Sequence, residues 1–339
     1  MANFLLKKGY KVYGTYRRTS TPNFWRLQAL KVLDKITLIS ADMVDFSSLM
    51  EAVTVSDPDE IYNLAAQSYV GSSFDQPFTT AYVDALGPLA LLEIIRHQKK
   101  KIKYYQASTS ELYGDNDMGG AGSQDETSQL LPNSPYATAK LYAFHLARIY
   151  RDAYGIFACN GILFNHESGL RGLEFVTRKI TNSVARIKLG LQKKLYLGNI
   201  HAKRDWGFAP DYVEAMWLIL QQDKPDDYVI GTNETHSVAE FVEEAFKAAG
   251  LNAKDYVETK ETLERPKEVN YLRGDYSKAK MVLGWEPRVK FKELVKKMVK
   301  IDMIRWQKFK DGIVFPWDAL NYNENVDIIA RNRENIKIN

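Results

Sequence analysis

The sequence predicts an α/β protein built on a doubly wound parallel sheet, with a second, smaller α/β lobe. Two observations predict it. Short, nearly unbroken apolar runs recur along the first half of the chain, and segments with helical spacing of apolar residues separate them. Parallel strands covered by helices on both faces have this pattern. Ligands of such sheets bind outside the carboxyl ends of the strands, so we expect the functional residues there.

The elements are predicted in chain order. The strands are KVYGTY (11–16), KITLIS (35–40), EIYNLAAQ (60–67), KIKYYQAST (101–109) and FACNGILFNH (157–166). The helices are FSSLMEAVTVS (46–56), DALGPLALLEIIRHQ (84–98) and PYATAKLYAFHLARIYRDAYG (135–155). The last helix is expected to end at Gly155, because glycine is the usual residue after a helix C-terminus.

Composition limits the classes of function. A chain of 339 residues with 45% hydrophobic content can bury the cores of two lobes. The net charge of +4 is small and gives no indication of nucleic acid binding. Cys159 is the only cysteine, so there is no disulfide framework and no thiolate metal site, which favours a cytoplasmic protein. We also expect no membrane span and no metal site, since no apolar run reaches ~20 residues and the histidines lack HExxH spacing.

Tyr136 and Lys140 lie four residues apart in NSPYATAK, and this spacing places them on one face of a helix. An ammonium beside a phenol favours the phenolate, so the pair can act as a base near neutral pH. The spacing alone is a weak signal, because an exposed lysine beside a half-buried tyrosine has the same pattern. Thr109, Ser110 and Glu111 end the strand before this helix and are expected to line the same cleft.

Six strings together resemble one family. They are QASTSELYG, NSPYATAKLYA, GILFNHES, FVTRKIT, LGNIHAKRDWG and DYVEAMWLILQ, and they resemble the GDP-mannose 4,6-dehydratase family of extended short-chain dehydrogenases/reductases. The resemblance runs from about residue 2 to about residue 300. It implies a Rossmann-type NADP-binding domain over 1–166, to which about 205–237 returns, and a substrate-binding lobe over 167–204 and 238–310. Residues 311–339 lie outside it, and their role is unassigned.

The resemblance implies that Thr109, Glu111 and Tyr136 are catalytic, with Lys140 in support. The implied reaction converts GDP-mannose to GDP-4-keto-6-deoxymannose by internal hydride transfer through NADP and loss of water. Tyr136 would deprotonate the C4 hydroxyl while Thr109 hydrogen-bonds the same oxygen. Glu111 would remove the C5 proton and supply one to the departing C6 hydroxyl. The alternative for Glu111 is a surface acid at a strand end.

The cofactor preference is predicted from Arg17 and Arg18, which follow KVYGTY where a fold that binds NAD usually has an acid. Guanidinium groups suit a 2′-phosphate, so NADP is favoured over NAD. The alternative is a pair of solvated arginines in a polar turn. The resemblance adds further cofactor contacts at the strand ends: Asp42, Met43, Leu64, Ala65, Ala66, Gln67, Ser68, Tyr136, Lys140, His166 and Arg171. On sequence alone, His166 can equally be a core histidine.

The residues expected to bind GDP-mannose are polar or charged and are implied by the resemblance: Ser68, Ser110, Asn165, Glu167, Lys179, Arg204 and Arg265. Guanidinium groups bind diphosphate oxygens bidentately, which suits Arg204 and Arg265. The alternative for both is an ordinary ion pair with Asp205 or Glu268.

One departure from the family lies at the start of the chain. MANFLLKKGY resembles the back half of the family's first helix. The match therefore lacks the first strand and the glycine-rich turn, whose backbone holds the dinucleotide pyrophosphate. We expect either a start codon placed downstream of the true one or a real truncation.

The alternative functions are a dehydratase or 4-keto reductase for another nucleotide sugar, or a truncated, weakly active nucleotide-sugar-binding subunit. Family members form dimers or tetramers, so a homodimer or homotetramer is expected.

Overall fold

The structure is a computed structural model that describes residues 1–20, 23–115, 122–263 and 267–313. In these residues, the helices are α1 (Ala2–Lys7), α2 (Trp25–Ala29), α3 (Phe46–Ser56), α4 (Val70–Asp75), α5 (Pro77–Ala81), α6 (Gly87–Arg96), α7 (Pro135–Tyr154), α8 (Val176–Lys188), α9 (Ala209–Leu220), α10 (Val238–Ala248), α11 (Ser277–Leu283) and α12 (Phe291–Lys310). The strands are β1 (Tyr13–Tyr16), β2 (Thr37–Ser40), β3 (Glu60–Asn63), β4 (Lys103–Thr109), β5 (Ala158–Leu163), β6 (Asn165–Glu167), β7 (Leu195–Leu197), β8 (Lys203–Arg204), β9 (Trp206–Phe208), β10 (Asp227–Ile230), β11 (His236–Ser237) and β12 (Val257–Thr259).

The central sheet contains four parallel strands in the order β10-β5-β4-β3. Strands β5 and β10 are buried along their whole length, and β4 is buried at most positions. Helices cover both faces of this sheet, which is why its strands are continuous apolar runs rather than alternating ones. The predicted doubly wound α/β fold is confirmed.

A second parallel pair, β1 with β2, is separate from the central sheet. In the part of the chain that the structure describes, no ladder hydrogen bonds join β1 to β3. The usual strand order of a dinucleotide-binding fold, 3-2-1-4-5-6, places one strand between those that correspond to β1 and β3. The described residues supply no strand there. Strands β1 and β3 are therefore both edge strands, and among their residues Asn63 alone is buried.

Helix α7 carries the Tyr136–Lys140 pair, and local sequence fixes both of its ends. Ser134 is the N-cap, and its Oγ accepts a hydrogen bond from the backbone N–H of Ala137 at 3.1 Å. Pro135 occupies the first helical position, where its missing N–H costs nothing. Gly155 ends the helix at φ 66°, a left-handed conformation that glycine adopts without strain. The predicted helix bounds are confirmed.

The second lobe has its own apolar core, formed mainly by α8, α10 and α12. An aromatic cluster lies at its centre: the Trp206 ring is 5.3 Å from that of Phe241 and 6.1 Å from that of Phe291, centroid to centroid. Trp206 belongs to β9, which pairs with β6 at the end of the central sheet. The second lobe thus meets the sheet at its carboxyl edge. The exact domain boundaries stay a prediction.

Helix α5, a π-helical turn (Tyr82–Leu86) and α6 form one continuous segment, Pro77–Arg96. By length and composition it is the one helix of the described residues that is apolar enough to cross a membrane. By length and composition, the expectation that no apolar run reaches the length of a membrane span is therefore wrong. Half of the segment is buried inside the protein, and a core helix passes the same test.

Candidate active site

The carboxyl end of β4 positions three of the predicted residues. Thr109 is the last residue of the strand, and a short 3-10 turn, Ser110–Tyr113, follows at once. The Oγ1 of Thr109 accepts a hydrogen bond from the backbone N–H of Glu111 at 3.2 Å, which holds the two side chains at the start of the turn. Thr109, Ser110 and Glu111 are all buried. A carboxylate and a hydroxyl therefore lie together at this strand end, as predicted.

Helix α7 brings Tyr136 and Lys140 to the same place. The Nζ of Lys140 donates a hydrogen bond to the backbone oxygen of Ala107 in β4 at 3.0 Å and lies 6.0 Å from the centre of the Tyr136 ring. Both side chains are buried. Since the lysine is anchored to the strand that carries Thr109 and Glu111, the four predicted catalytic residues share one rigid corner of the fold.

The protonation of Tyr136 differs from the simple expectation. Burial raises the pKa of its phenol well above the usual value, and the negative charges of Asp84 and Glu111 act in the same direction. Thr109 and Arg171 lower that pKa, but by less. Lys140 does not offset the burial, because burial lowers the pKa of its own ammonium as well. The phenol is therefore the resting form of Tyr136.

These residues line a cleft of about 510 Å³ at the carboxyl ends of β3, β4 and β5. The predicted residues that line it are Leu64, Ala66, Ser68, Thr109, Ser110, Glu111, Tyr136, Lys140, Asn165, His166, Glu167, Arg171, Lys179 and Arg204. The cleft therefore lies at the strand ends, and the functional roles of its lining residues stay a prediction.

Strand β6 contributes Asn165, His166 and Glu167. The Nδ1 of His166 lies 3.0 Å from the backbone oxygen of Phe164, and its ring stacks on that of Tyr212 with centroids 5.0 Å apart. Burial, and then the charge of Arg171, lower the pKa of His166, so the imidazole is neutral at pH 7. His166 is both a packed core residue and a lining residue of the cleft.

Glu167 is held on both sides. One of its carboxylate oxygens accepts a hydrogen bond from the Thr177 hydroxyl at 2.6 Å and lies 3.4 Å from Nε of Arg171. The guanidinium of Arg171 also lies over the ring of Phe175, 3.6 Å from its centre. These contacts fix the orientation of Arg171 at the rim of the cleft.

The cationic end of the cleft contains Lys179 and Arg204. Arg204 forms an ion pair with Glu268 at 2.6 Å, so the expected alternative of an ordinary ion pair is present in the cleft wall. Burial lowers the pKa of Lys179. Arg265 lies outside the described residues.

Six predicted cofactor residues do not line this cleft. Arg17 and Arg18 are exposed just after β1, and Asp42 and Met43 follow β2. None of these four residues lines the cleft, and β1 and β2 pair with each other in a sheet of their own. Ala65 and Gln67 belong to the lining loop, but the side-chain amide of Gln67 donates to Tyr69 O at 3.1 Å and to Thr80 Oγ1 at 3.3 Å instead.

Several lining residues were not predicted: Tyr69, Glu174, Phe175, Asn199, Trp206 and Glu268. Their positions depend on contacts between distant segments, and no local pattern marks them. One further residue, Asp84, was missed although a signal existed. It is a lone carboxylate in an otherwise apolar helical run, and it lies buried behind Lys140. In the described ranges, no cluster of three or more His, Cys, Asp or Glu side chains is suited to a metal ion.

Comparison with known proteins identifies the family. The family model described as GDP-mannose 4,6 dehydratase matches residues 1–298. GDP-mannose 4,6 dehydratase 2 of Arabidopsis thaliana is 52% identical over 313 residues, which are 89% of this chain and 83% of that protein. The human GDP-mannose 4,6 dehydratase is 47% identical over 328 residues, 89% of this chain and 87% of that protein. The solved UDP-glucose 4-epimerase of Thermus thermophilus, a complex with NAD, superposes with a TM-score of 0.77 at 25% identity, over 88% of this chain and 93% of that one. The chain belongs to the GDP-mannose 4,6-dehydratase family.

Proposed function

We propose that this protein is a hydro-lyase that converts GDP-mannose to GDP-4-keto-6-deoxymannose. One observation carries the proposal: Thr109, Glu111 and Tyr136 line a single buried corner of the cleft, with Lys140 anchored beside them. A phenol and a carboxylate at one corner supply the two acid–base groups that oxidation at C4 and elimination across C5 and C6 require. The family relationship supports the same reaction.

The residues have separate roles in the reaction. Tyr136 acts as the base in its phenolate form: once the phenol has lost its own proton to solvent, the phenolate takes the proton of the C4 hydroxyl, and the Thr109 hydroxyl hydrogen-bonds the same oxygen. Glu111 takes the C5 proton, which the new ketone at C4 has made acidic. The C6 hydroxyl then leaves as water with a proton from Glu111. A nicotinamide cofactor bound in the cleft would supply the remaining chemistry, which is removal of a hydride from C4 and its return to C6, so no external reductant would be consumed.

The cleft suits the nicotinamide end of such a cofactor. It opens at the carboxyl ends of parallel strands, where dinucleotides bind in this type of fold. Two polar groups in the cleft also have hydrogen-bonding capacity that the protein itself does not use. Lys140 uses one of its three ammonium protons for Ala107 O, and the buried Oδ1 of Asn165 has no hydrogen-bond partner among the described residues. Leu64, Ala66 and Ser68 belong to the loop after β3 and line the cleft.

We infer NADP as the preferred dinucleotide. Arg17 and Arg18 follow β1 with exposed side chains, which suits recognition of a 2′-phosphate. For the sugar nucleotide, Lys179 and Arg204 supply positive charge to the diphosphate. Arg204 must exchange or share its partner Glu268 when it binds an anion.

We also propose that the chain assembles as a homodimer or homotetramer in the cytoplasm. An apolar stripe supports the assembly: Phe78, Tyr82 and Leu86 are 79%, 52% and 44% exposed, and Tyr142 and Ile149 of the adjacent α7 are 44% and 53% exposed. Stripes of this kind on neighbouring helices usually mark an interface.

The single cysteine, Cys159, is free and buried, which is compatible with a reducing compartment such as the cytoplasm.

The proposed reaction is tested with purified protein, NADP and GDP-mannose. The expected product has lost one water by mass, while the nicotinamide absorbance stays unchanged at the end of the reaction. Accumulation of one NADPH per product would contradict the internal return of the hydride. The Tyr136→Phe variant is the control, since it keeps the shape of the cleft and lacks the base.

A further inference from the structure

A short loop, residues 168–172, carries Arg171 to the rim of the cleft, and we call it the rim loop. It leaves the central sheet after β6 and has no helix or strand of its own. Two hydrogen bonds to Ser168 fold it into a turn. The backbone N–H of Leu170 donates to the Ser168 hydroxyl at 3.1 Å, and that of Arg171 donates to the Ser168 carbonyl at 3.0 Å. A turn this short depends on outside contacts to keep one conformation.

Guanidinium groups from two helices hold the backbone of the rim loop. Nη1 of Arg178 in α8 donates to the carbonyl oxygens of Gly169 and Arg171, at 2.9 Å and 3.0 Å. Nε of Arg26 in α2 donates to the carbonyl oxygen between them, that of Leu170, at 2.9 Å. Three consecutive carbonyls therefore each accept a hydrogen bond from a charged donor, which is stronger than a bond from a neutral one.

The bond from Arg26 comes from a remote part of the chain. Arg26 precedes Leu170 by 144 positions, and α2 follows the strand pair that is separate from the central sheet. The guanidinium of Arg26 also lies over the buried ring of Trp25, 4.5 Å from its centre. Arg305 of α12 lies over the same ring at 5.9 Å. Helix α2 thus contacts both the rim loop and the second lobe.

The same helix is connected to the segment that we propose for recognition of the 2′-phosphate. Tyr16 is the last residue of β1, directly before Arg17 and Arg18. Its ring packs edge-on against that of Phe24, the N-cap residue of α2, with centroids 5.2 Å apart. A short path of packed side chains therefore joins the end of β1 to Arg26, and the bond to Leu170 extends that path to the rim loop.

The glycines of the rim loop mark two further close contacts. A Cβ on Gly169 would lie 2.7 Å from the side chain of Ile301 in α12, and a Cβ on Gly172 would overlap the carboxylate of Glu174. The backbone of the loop therefore lies directly against both side chains. Since Glu174 lines the cleft, the rim loop is confined between α12 and the cleft wall. A shift of its backbone would move Arg171.

We propose that Arg26 is a positioning residue: its bond to Leu170 O fixes the rim loop, and the rim loop holds Arg171 against the bound dinucleotide. The inference rests on the proposed function, because it takes a nicotinamide dinucleotide as the ligand of Arg171. Arg26 and Leu170 do not line the cleft, whereas Arg171 does. Arg26 therefore acts on ligand affinity through Arg171 alone, and an arginine with a merely structural role would change stability without changing that affinity.

The first test is a double-mutant cycle in NADP affinity, measured by calorimetry. Arg26→Met keeps an unbranched stem over Trp25 and removes the guanidinium. It should weaken NADP binding by about three- to tenfold, as expected of a residue that acts through its neighbours. The double variant with Arg171→Met should bind NADP within about twofold of Arg171→Met alone, because the two residues act as one unit. Gln28→Ala, on the exposed surface of the same helix, is the control and should bind NADP like the wild type.

Two results of this cycle would overturn the proposal. Unchanged NADP affinity in Arg26→Met would mean that the rim loop does not need the bond. A double variant whose loss equals the product of the two single losses would mean that Arg26 acts on the ligand independently of Arg171.

The second test needs no ligand. Hydrogen exchange of the peptide that spans residues 168–175 is followed by mass spectrometry in the wild type, Arg26→Met and Gln28→Ala. Arg26→Met should exchange about two- to tenfold faster, the change in local opening expected for loss of one hydrogen bond. Equal exchange in all three proteins would overturn the positioning role. If Arg26→Met exchanges faster and the wild type binds no NADP, the hold on the rim loop stands and the proposed function fails.

Discussion

Lys140 donates a hydrogen bond from Nζ to the backbone oxygen of Ala107 at 3.0 Å, and this bond ties helix α7 to strand β4. The helix carries the proposed base Tyr136, and the strand ends at Thr109 and Glu111. The relative positions of base, hydroxyl and carboxylate therefore depend on two rigid elements rather than on loops. Precise placement of this kind accounts for a large part of enzymatic rate enhancement.

The first prediction separates two steps of the reaction. Glu111→Gln keeps the shape of the side chain and removes the base, so elimination should slow by ~10²–10⁴-fold while oxidation at C4 survives. In a single turnover, the variant should accumulate reduced cofactor with a 4-keto hexose. Tyr136→Phe should show no reduced cofactor at all. If both variants stall with fully oxidised cofactor, the assigned division of labour is wrong.

The second prediction concerns cofactor choice. Replacing Arg17 and Arg18 with Ala should weaken NADP binding by about tenfold or more, because a charged hydrogen bond contributes roughly 1.5–3 kcal/mol. Binding of NAD should change little, since it has no 2′-phosphate. Calorimetric titration of both dinucleotides gives the ratio directly. Equal losses for NADP and NAD would show that the arginines do not read the 2′-phosphate.

The third prediction concerns a buried ion pair that supports the rim of the cleft. Arg178 of α8 pairs with Asp302 of α12 at 2.8 Å, and Nη1 of Arg178 donates to the backbone oxygens of Gly169 and Arg171. Asp302→Ala should lower the free energy of unfolding by roughly 3–5 kcal/mol, because it leaves a buried charge without its partner. Denaturant unfolding measures the loss.

The control for that experiment is the exposed pair Lys280 and Glu286, 2.7 Å apart. Glu286→Gln removes an ion pair of similar length on the surface, where solvent screens the charges. Its unfolding midpoint should match the wild type. If the two variants lose equal stability, burial is not what makes the Arg178–Asp302 pair important.

The fourth prediction is a pH dependence of stability. The carboxylate of Asp205 accepts hydrogen bonds from the backbone N–H groups of Thr232, Asn233 and Gly274 and from the Thr232 hydroxyl. Burial nevertheless raises its pKa to about 7. Because the folded state binds this proton more tightly than the unfolded state, Asp205 should make stability fall as the pH rises from about 4 to about 7.

The variant Asp205→Asn tests that dependence. It should destabilise the protein by roughly 1–3 kcal/mol at pH 5, since the amide NH₂ group cannot accept a bond from the surrounding N–H groups. The deficit should shrink toward pH 8, where the wild type bears the cost of a buried charge. Unfolding curves across this range measure the difference. A deficit that stays constant from pH 5 to pH 8 would mean that Asp205 is ionised in the folded protein throughout this range.

Local signals were enough to predict the elements that carry the site. Ser134, Pro135 and Gly155 mark both ends of α7, and the apolar run before Thr109 marks β4. Interactions between distant segments were not predictable in this way. The sequence left open whether Arg204 pairs with Asp205 or with Glu268. Glu268 is the partner because a bridge between Lys203 and Tyr271 brings that segment alongside β8.

The protonation state of Tyr136 could not be predicted from the local sequence either. The Tyr136–Lys140 spacing predicted a lowered pKa for the phenol. Burial raises that pKa instead, and so does the charge of Asp84, which lies 52 positions before Tyr136 in the chain. Periodicity shows which face of a helix is apolar, but it does not show which charge from another helix lies behind that face. The protonation states of Tyr136 and Lys140 therefore follow from tertiary packing rather than from their spacing in the sequence.

The most direct test of the central claim follows the hydride itself. The protein is incubated with NADP and GDP-mannose that carries deuterium at C4, and the position of the label in the product is determined by NMR. Internal transfer predicts a 4-keto-6-deoxy product with deuterium at C6 and no deuterium left in the cofactor after turnover. A dehydrated product whose label has passed to released NADPH, or a 4-keto product that retains its C6 hydroxyl, would contradict the account.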